Sequence, residues 1–231
     1  MLLNNGLIFQ LAKEDQNRVQ SICELVELRA GQTLCDVGHV KTSNVYFLTG
    51  ACVALLVQNS QHNTLAVGLV GSEGVVGLGS VLNNGAVNLH YRVQTSGAAW
   101  TADSAAMALL LHQRPGMLWV ISQHLWHLAD HVASMAASIQ FDDISTRLAL
   151  WLVLSAERAR TLRLMLTHEH LAQMLGVRRV SITLSAGELK EKGLITYQRG
   201  VIEILKPLEL HQMAYMNRPE ANLRLKPVRK K

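Results

Sequence analysis

The chain has 231 residues, 49% of them hydrophobic and only 17% charged, which suits one large or two modest folded domains and excludes a disordered chain. The formal net charge of +5 is unevenly spread. Residues 1–146 hold six Lys and Arg against ten Asp and Glu, about −4, whereas residues 147–231 hold sixteen against seven, about +9. The second part therefore favours an anionic partner, nucleic acid or a membrane surface.

No apolar run reaches membrane-spanning length; the stretch around Leu148–Leu154 is short and follows Arg147. The N-terminus lacks a basic region followed by an apolar core, so no signal peptide and no membrane partner are expected. Cys23, Cys35 and Cys52 show no metal-ligand spacing and read as thiols of a reducing compartment, which points to the cytoplasm. No metal or other cofactor is expected.

In chain order, Asp15 to Leu28 reads as a helix with Val19, Ile22, Leu25 and Val26 on one side. From Gly31 to about Leu111, short apolar runs (Val45–Leu48, Cys52–Val57, Thr64–Val70, Tyr91–Thr95) alternate with breakers. The breakers are Gly50, Asn59-Ser60, Gly71-Ser72, Asn83-Asn84-Gly85 and Ser96-Gly97. Strands at near-regular spacing without a long helix between them predict an all-β sandwich or barrel.

After Pro115, the residues Leu118, Ile121, Leu125, Leu128, Val132, Met135 and Ile139 recur in steps of three and four. Such a seam predicts a long helix that pairs with a second copy of the chain. The plainer alternative is a helix packed on its own domain. The narrow seam and its flanking His124, Asp130 and His131 favour the dimer. Phe141-Asp142-Asp143 marks a break, and a second helix is predicted from about Ile144 to Arg158. The expected division is thus 1–113, a dimerisation helix over 114–141, and 142–231.

Leu166–Leu205 carries the chemistry. Thr167 is a good N-cap for an amphipathic helix with Leu171, Met174 and Leu175 on its apolar face. Gly176-Val177 makes a tight turn into a helix from Arg178 to about Lys192, with Ile182 and Leu189 inward, and Gly193 ends it. Leu194–Tyr197 and Val201–Ile204 form two strands around Gln198-Arg199-Gly200. Helix, glycine turn, helix and hairpin make a winged helix-turn-helix. Its second helix offers Arg178, Arg179, Ser181, Thr183 and Ser185 to the base edges of double-stranded DNA. The backbone amides at Thr167–Glu169, which make Thr167 and His168 candidate contacts, and Arg199 at the wing tip suit phosphates. A winged helix used for protein contact is the alternative, disfavoured by the concentration of basic residues where DNA would lie.

These motifs resemble the Crp/Fnr superfamily, relatives of the catabolite activator protein, over nearly the whole chain. The resemblance rests on Leu-Thr-x-x-x-Leu-Ala-x-Met-Leu-Gly-Val-Arg-Arg (Leu166–Arg179) and on Gly193-Leu194-Ile195. Val45-Tyr46-Phe47-Leu48-Thr49-Gly50 and the Val70–Gly77 stretch extend it. It implies an α+β chain: an N-terminal jelly-roll β-barrel like those that bind cyclic nucleotides, a long dimerisation helix and the C-terminal winged domain. It also implies a homodimeric transcription regulator, with RNA polymerase and a small-molecule effector as further partners. The family position of the effector pocket falls on Gly77, Leu78, Gly79, Ser80, Leu89, His90 and Arg92.

Three departures stand out. Cyclic-nucleotide-binding members have a Glu after the cassette glycine and an Arg-Ser pair about ten residues on. Here Leu78 follows Gly77, and Asn88-Leu89-His90 holds no Arg, with Arg92 displaced along the strand. A buried phosphate without its Arg is costly, so cyclic nucleotides are not the expected effector. The three cysteines also lack the spacing of the iron–sulfur members. In the catabolite activator, Arg, Glu and a later Arg read bases; here those positions carry Arg179, Val180 and Leu184. Val180 is placed either to touch a thymine methyl or to pack within the domain.

Other signals are weaker. His124, His127 and His131 share one helix at a spacing that suits a metal or haem, yet the bland reading is seam-flanking histidines. His168-Glu169-His170 lacks the second histidine of a protease metal motif, since position 172 is Ala172. Trp100, Trp119, Trp126 and Trp151 read as packing. Arg224, Lys226, Arg229, Lys230 and Lys231 form a basic tail that either adds DNA affinity or only solubilises. The rival functions are a small-molecule- or cyclic-nucleotide-binding module without DNA readout and an enzyme on a cupin-like barrel. The Leu166–Leu205 segment opposes the first, and the absence of a His-x-His and Glu ligand set opposes the second.

Overall fold

The structure is a computed structural model that describes residues 4–35, 44–61, 63–82 and 89–217. The Asn83-Asn84-Gly85 breaker, Asn88 and the basic tail lie outside the described residues. Contacts divide the chain into two compact units, 1–61 with 67–133, and 62–66 with 134–231. The boundary falls inside the long helix, which the sequence had drawn as a segment of its own.

The first unit opens with helices α1 (Gly6–Phe9) and α2 (Lys13–Ile22). Eight strands follow: β1 (Glu24–Leu28), β2 (Thr33–Cys35), β3 (Asn44–Leu48), β4 (Cys52–Gln58), β5 (Thr64–Val70), β6 (Val75–Val76), β7 (His90–Thr95) and β8 (Gly97–Asp103). A short helix α3 (Leu78–Leu82) interrupts them, and α4 (Ser104–Gln113) and the long α5 (Met117–Phe141) follow. The strands form two four-stranded sheets in the orders β1-β8-β3-β6 and β2-β7-β4-β5, a jelly roll. One core joins the sheets: Leu28, Leu48, Val76 and Ala99 from the first meet Cys35, Val53, Leu55, Val70 and Val93 from the second. The period of two along β3 turns Val45 and Phe47 to the other side, where Leu7, Val19, Leu78, Met107, Met117 and Ile121 bury that face under helices.

The helix expected over Asp15–Leu28 stops at Ile22. Glu24–Leu28 instead pairs antiparallel with β8, from Glu24↔Thr101 to Leu28↔Gly97. Val26 and Leu28 pack inward while Leu25 is exposed, so the apolar set taken as one helical side mixes two periodicities. Helix α4 lies within what read as strand territory. Its Ala- and Leu-rich sequence is apolar all round, which hides the helical period, although Asp103 caps it by accepting from the Ala105 and Ala106 amides.

The seam on α5 is also split. Ile121 and Met135 are buried, Ile121 in the helix-covered core, and Leu128 packs against the sandwich core. Burial within the chain takes Ile121 and Met135 out of an exposed seam, while Leu128 is half-buried. Leu118, Trp119, Leu125, Trp126 and, at its C-terminal end, Phe141 are the large apolar side chains that α5 leaves exposed.

The second unit contains α6 (Ile144–Ala159), β9 (Arg163–Leu164), α7 (His168–Leu175), α8 (Arg179–Glu191), β10 (Ile195–Gln198), β11 (Val201–Ile204) and α9 (Pro207–Tyr215). Asp143 caps α6, accepting from the Thr146 amide at 2.7 Å, and α6 is buried over most of its surface around Trp151. The sequence reading missed β9, which adds a third strand in the order β10-β11-β9, and α9. Pro207 at the first turn of α9 was the available signal, and Leu210, Ala214 and Tyr215 are its buried face.

Candidate nucleic-acid interface

Thr167 starts α7 by accepting from the His170 amide at 3.1 Å, and Leu171, Ala172, Met174 and Leu175 bury the inner face. Gly176 ends it in the left-handed conformation (φ 63°), where an L side chain would be strained. Arg178 then precedes α8 without a side-chain cap, so the first amides of α8 keep the positive end of the helix dipole unmasked by a side chain. Ile182, Ser185, Ala186 and Leu189 fix the inner face of α8. Arg178, Arg179, Val180, Thr183 and Leu184 are exposed.

Helix α6 holds both helices from behind. Arg147 donates to the Leu175 carbonyl at the C-terminal end of α7, and Ser145 donates to the Glu188 carboxylate on α8 at 2.5 Å. Gly193 (φ 66°) ends α8, and the wing turns at Arg199-Gly200, with φ of 48° and 81°. Two positive φ values in a two-residue loop match the twist of a hairpin. A Cβ on Gly200 would stand 3.2 Å from Thr167 Cγ2, so the wing tip lies against the start of α7.

His168 ties these parts together. Its ring stacks on Tyr197 of β10 with centroids 4.1 Å apart, and its Nδ1 is 3.1 Å from Thr183 Oγ1 on α8. Thr183 donates to the Arg179 carbonyl at 3.1 Å, so the imidazole Nδ1–H supplies the proton to the threonine oxygen. Burial, followed by the nearby Arg179 charge, holds the imidazole pKa below its usual value and favours the neutral ring.

Thr167, His168, Thr183, Arg179 and, through Gly200, Arg199 are thus gathered at one end of the domain. Ser181 is half-buried. Ser185 is withdrawn as a DNA contact, since it is 5% exposed and faces inward beside Ile182 and Ala186. Val180, which the sequence left open, is 68% exposed, and Leu184, which it did not place in the site, is 65% exposed. The inward Ile182 between them was the signal, because positions two residues either side of it leave the buried face.

The residues at the family's effector position lie on two elements, Gly77 to Ser80 at the turn into α3 and Leu89 to Arg92 at the start of β7. A Cβ on Gly77 (φ 92°) would come within 2.5 Å of the Asn44 carbonyl, so glycine is required by the turn into α3. Leu78 points into the helix-covered core and Ser80 is buried, whereas Gly79 is exposed. Leu89 packs against the inter-sheet core, while half-buried His90 and Arg92 lie on β7, Arg92 in register with Thr33 and Ala54. His124 packs beneath Gly74 and His131 accepts from the Leu69 amide at 3.3 Å, while His127 is exposed. Burial lowers the His124 pKa.

Residues 146–213 match the Crp-like helix-turn-helix domain family. The chain has the Crp/Fnr fold and carries a Crp-like helix-turn-helix domain. Among solved structures, the chain is similar to the c-di-GMP responsive global regulator CLP of Xanthomonas campestris. The TM-score is 0.69 at 15% identity, covering 84% of this chain and 99% of CLP. It is likewise similar to a Crp/Fnr-family transcriptional regulator from Thermus thermophilus, with TM-score 0.67 at 21% identity, covering 83% of this chain and 98% of that one. No curated protein matches the sequence. Among the described residues, no helix is long and apolar enough to cross a membrane.

Proposed function

We propose that the protein is a homodimeric transcription regulator that reads double-stranded DNA through α8 and grips the backbone with Arg199 and the start of α7. The gathering of Arg178, Arg179, Arg199 and an uncapped helix N-terminus at one end of a Crp-like helix-turn-helix carries this reading. Arg179 reads a guanine, whose paired acceptors suit its fork. The exposed Leu118, Trp119, Leu125 and Trp126 on α5 form the dimer contact. The jelly roll senses an effector other than a cyclic nucleotide, since Leu78 takes the place of the family's Glu and sits in the core, and residues 88–90 hold no Arg. Effector binding shifts the population of wing orientations. Selection from random duplexes tests the reading. The expected product is a pseudo-palindrome with half-sites about 34–36 Å apart. Recovery of no preferred sequence, with or without cell extract as a source of effector, would contradict it.

A further inference from the structure

The outer face of α8 is unusual for a surface expected to meet base edges. It offers one guanidinium, Arg179, and then two pure hydrocarbons, Val180 and Leu184, 68% and 65% exposed one helical turn apart. The hydroxyl proton of Thr183 between them is committed to the Arg179 carbonyl. Hydrogen-bond readout is therefore confined to few atoms. Arg178 and Arg179, both exposed, directly precede the apolar pair at the start of the same helix, so whatever covers it carries negative charge as well as apolar groups. A purely apolar protein groove does not complement that surface. The DNA major groove does, and the one apolar group it displays among the four bases is the thymine C5-methyl.

We infer that Val180 and Leu184 read thymine methyl groups, so that each half-site carries two T·A pairs beside the guanine taken by Arg179. The inference rests on the DNA-binding reading above. The helical rise sets the spacing: four residues advance the helix about 6 Å, close to two base steps of 3.4 Å. The two methyls therefore lie within about two base steps of one another, on either strand.

The test starts from the site selected by the wild-type protein. Each thymine is replaced in turn by deoxyuridine, which keeps every hydrogen bond and removes only the methyl. Binding is titrated for the wild type, Val180→Ala and Leu184→Ala, with circular dichroism melts to show that both variants fold. The wild type should lose roughly three- to fourfold in affinity at each of two thymines, the amount expected for one buried methyl. Each variant should be insensitive to deoxyuridine at one of those two thymines and keep its preference for the guanine. A wild type indifferent to all thymine replacements would overturn the inference while leaving DNA binding intact. So would methyl sensitivity that persists in both variants, which would assign the apolar pair to a protein partner. A wild type that selects no sequence would overturn the DNA-binding reading itself, and this inference with it.

Discussion

Replacing His168 with Ala removes a side chain that joins α7 to both α8 and the wing. Two contacts disappear. The stack on Tyr197, with centroids 4.1 Å apart, is of a kind worth about 0.5–1.5 kcal/mol beyond area burial. The hydrogen bond to Thr183 adds about 0.5–1.5 kcal/mol. The ring is only half-buried, so the lower ends apply and the expected cost is about 1–2 kcal/mol. For a domain of this size that lowers Tm by roughly 5–10 °C. Urea titration of the full chain, followed by hydrogen exchange of the α7, α8 and β10 amides, reads the second unit. A cycle with Tyr197→Ala isolates the stack, and the coupling should be about 0.5–1.5 kcal/mol. Coupling below about 0.3 kcal/mol would refute the idea that the ring fastens the wing to the helices. The affinity for DNA should fall as well, because Thr183 and the hairpin lose their common brace.

Three further outcomes are expected. Leu125→Glu with Trp126→Glu places like charges on the exposed face of α5, and sedimentation should show a monomer; an unchanged dimer would move the contact elsewhere. Arg147→Ala leaves the Leu175 carbonyl without its charged donor and should cost about 1.5–3 kcal/mol in the second unit, read by thermal denaturation, whereas a loss below about 0.5 kcal/mol would show that water replaces the contact. His124 is neutral in the fold because burial lowers its pKa, so the unfolded chain binds the proton more readily. The first unit should hold its stability above pH ~6.5 and lose it as pH falls toward the folded value, by hydrogen exchange of β5 and β6, and His124→Gln should flatten that dependence. A slope unchanged by the substitution would reject the assignment.

The parts of this molecule with one clean periodicity were legible in the sequence. The Leu171–Leu175 face, the glycine stops at Gly176 and Gly193, and the alternation through β10 and β11 appear within a residue or two of where they were expected. Elements that lack such a signal were lost. Helix α4 is apolar on every side, β9 contributes two residues, and the start of β1 continues the apolar spacing of α2 without a breaker. On α5 the three-four spacing is real, but it mixes buried and exposed positions. Ile121 and Leu128 face the jelly roll, and a heptad count alone cannot tell an inward stripe from an outward one. At the candidate interface, residue type was the misleading guide. Ser185 is polar yet inward, and Val180 and Leu184 are apolar yet outward, because a helix face is set by its angle to Ile182 and Leu189 rather than by polarity.

In the proposed complex Arg179 specifies sequence while Arg199 only grips the backbone. Titration of Arg179→Ala and Arg199→Ala against the selected site and an unrelated duplex, at two salt concentrations, separates the two roles. Arg179→Ala should lose about 1–3 kcal/mol on the selected site and little on the unrelated one. Arg199→Ala should weaken both about equally and reduce the salt slope by about one. Equal losses on both duplexes for Arg179→Ala would make it a phosphate contact and contradict the account.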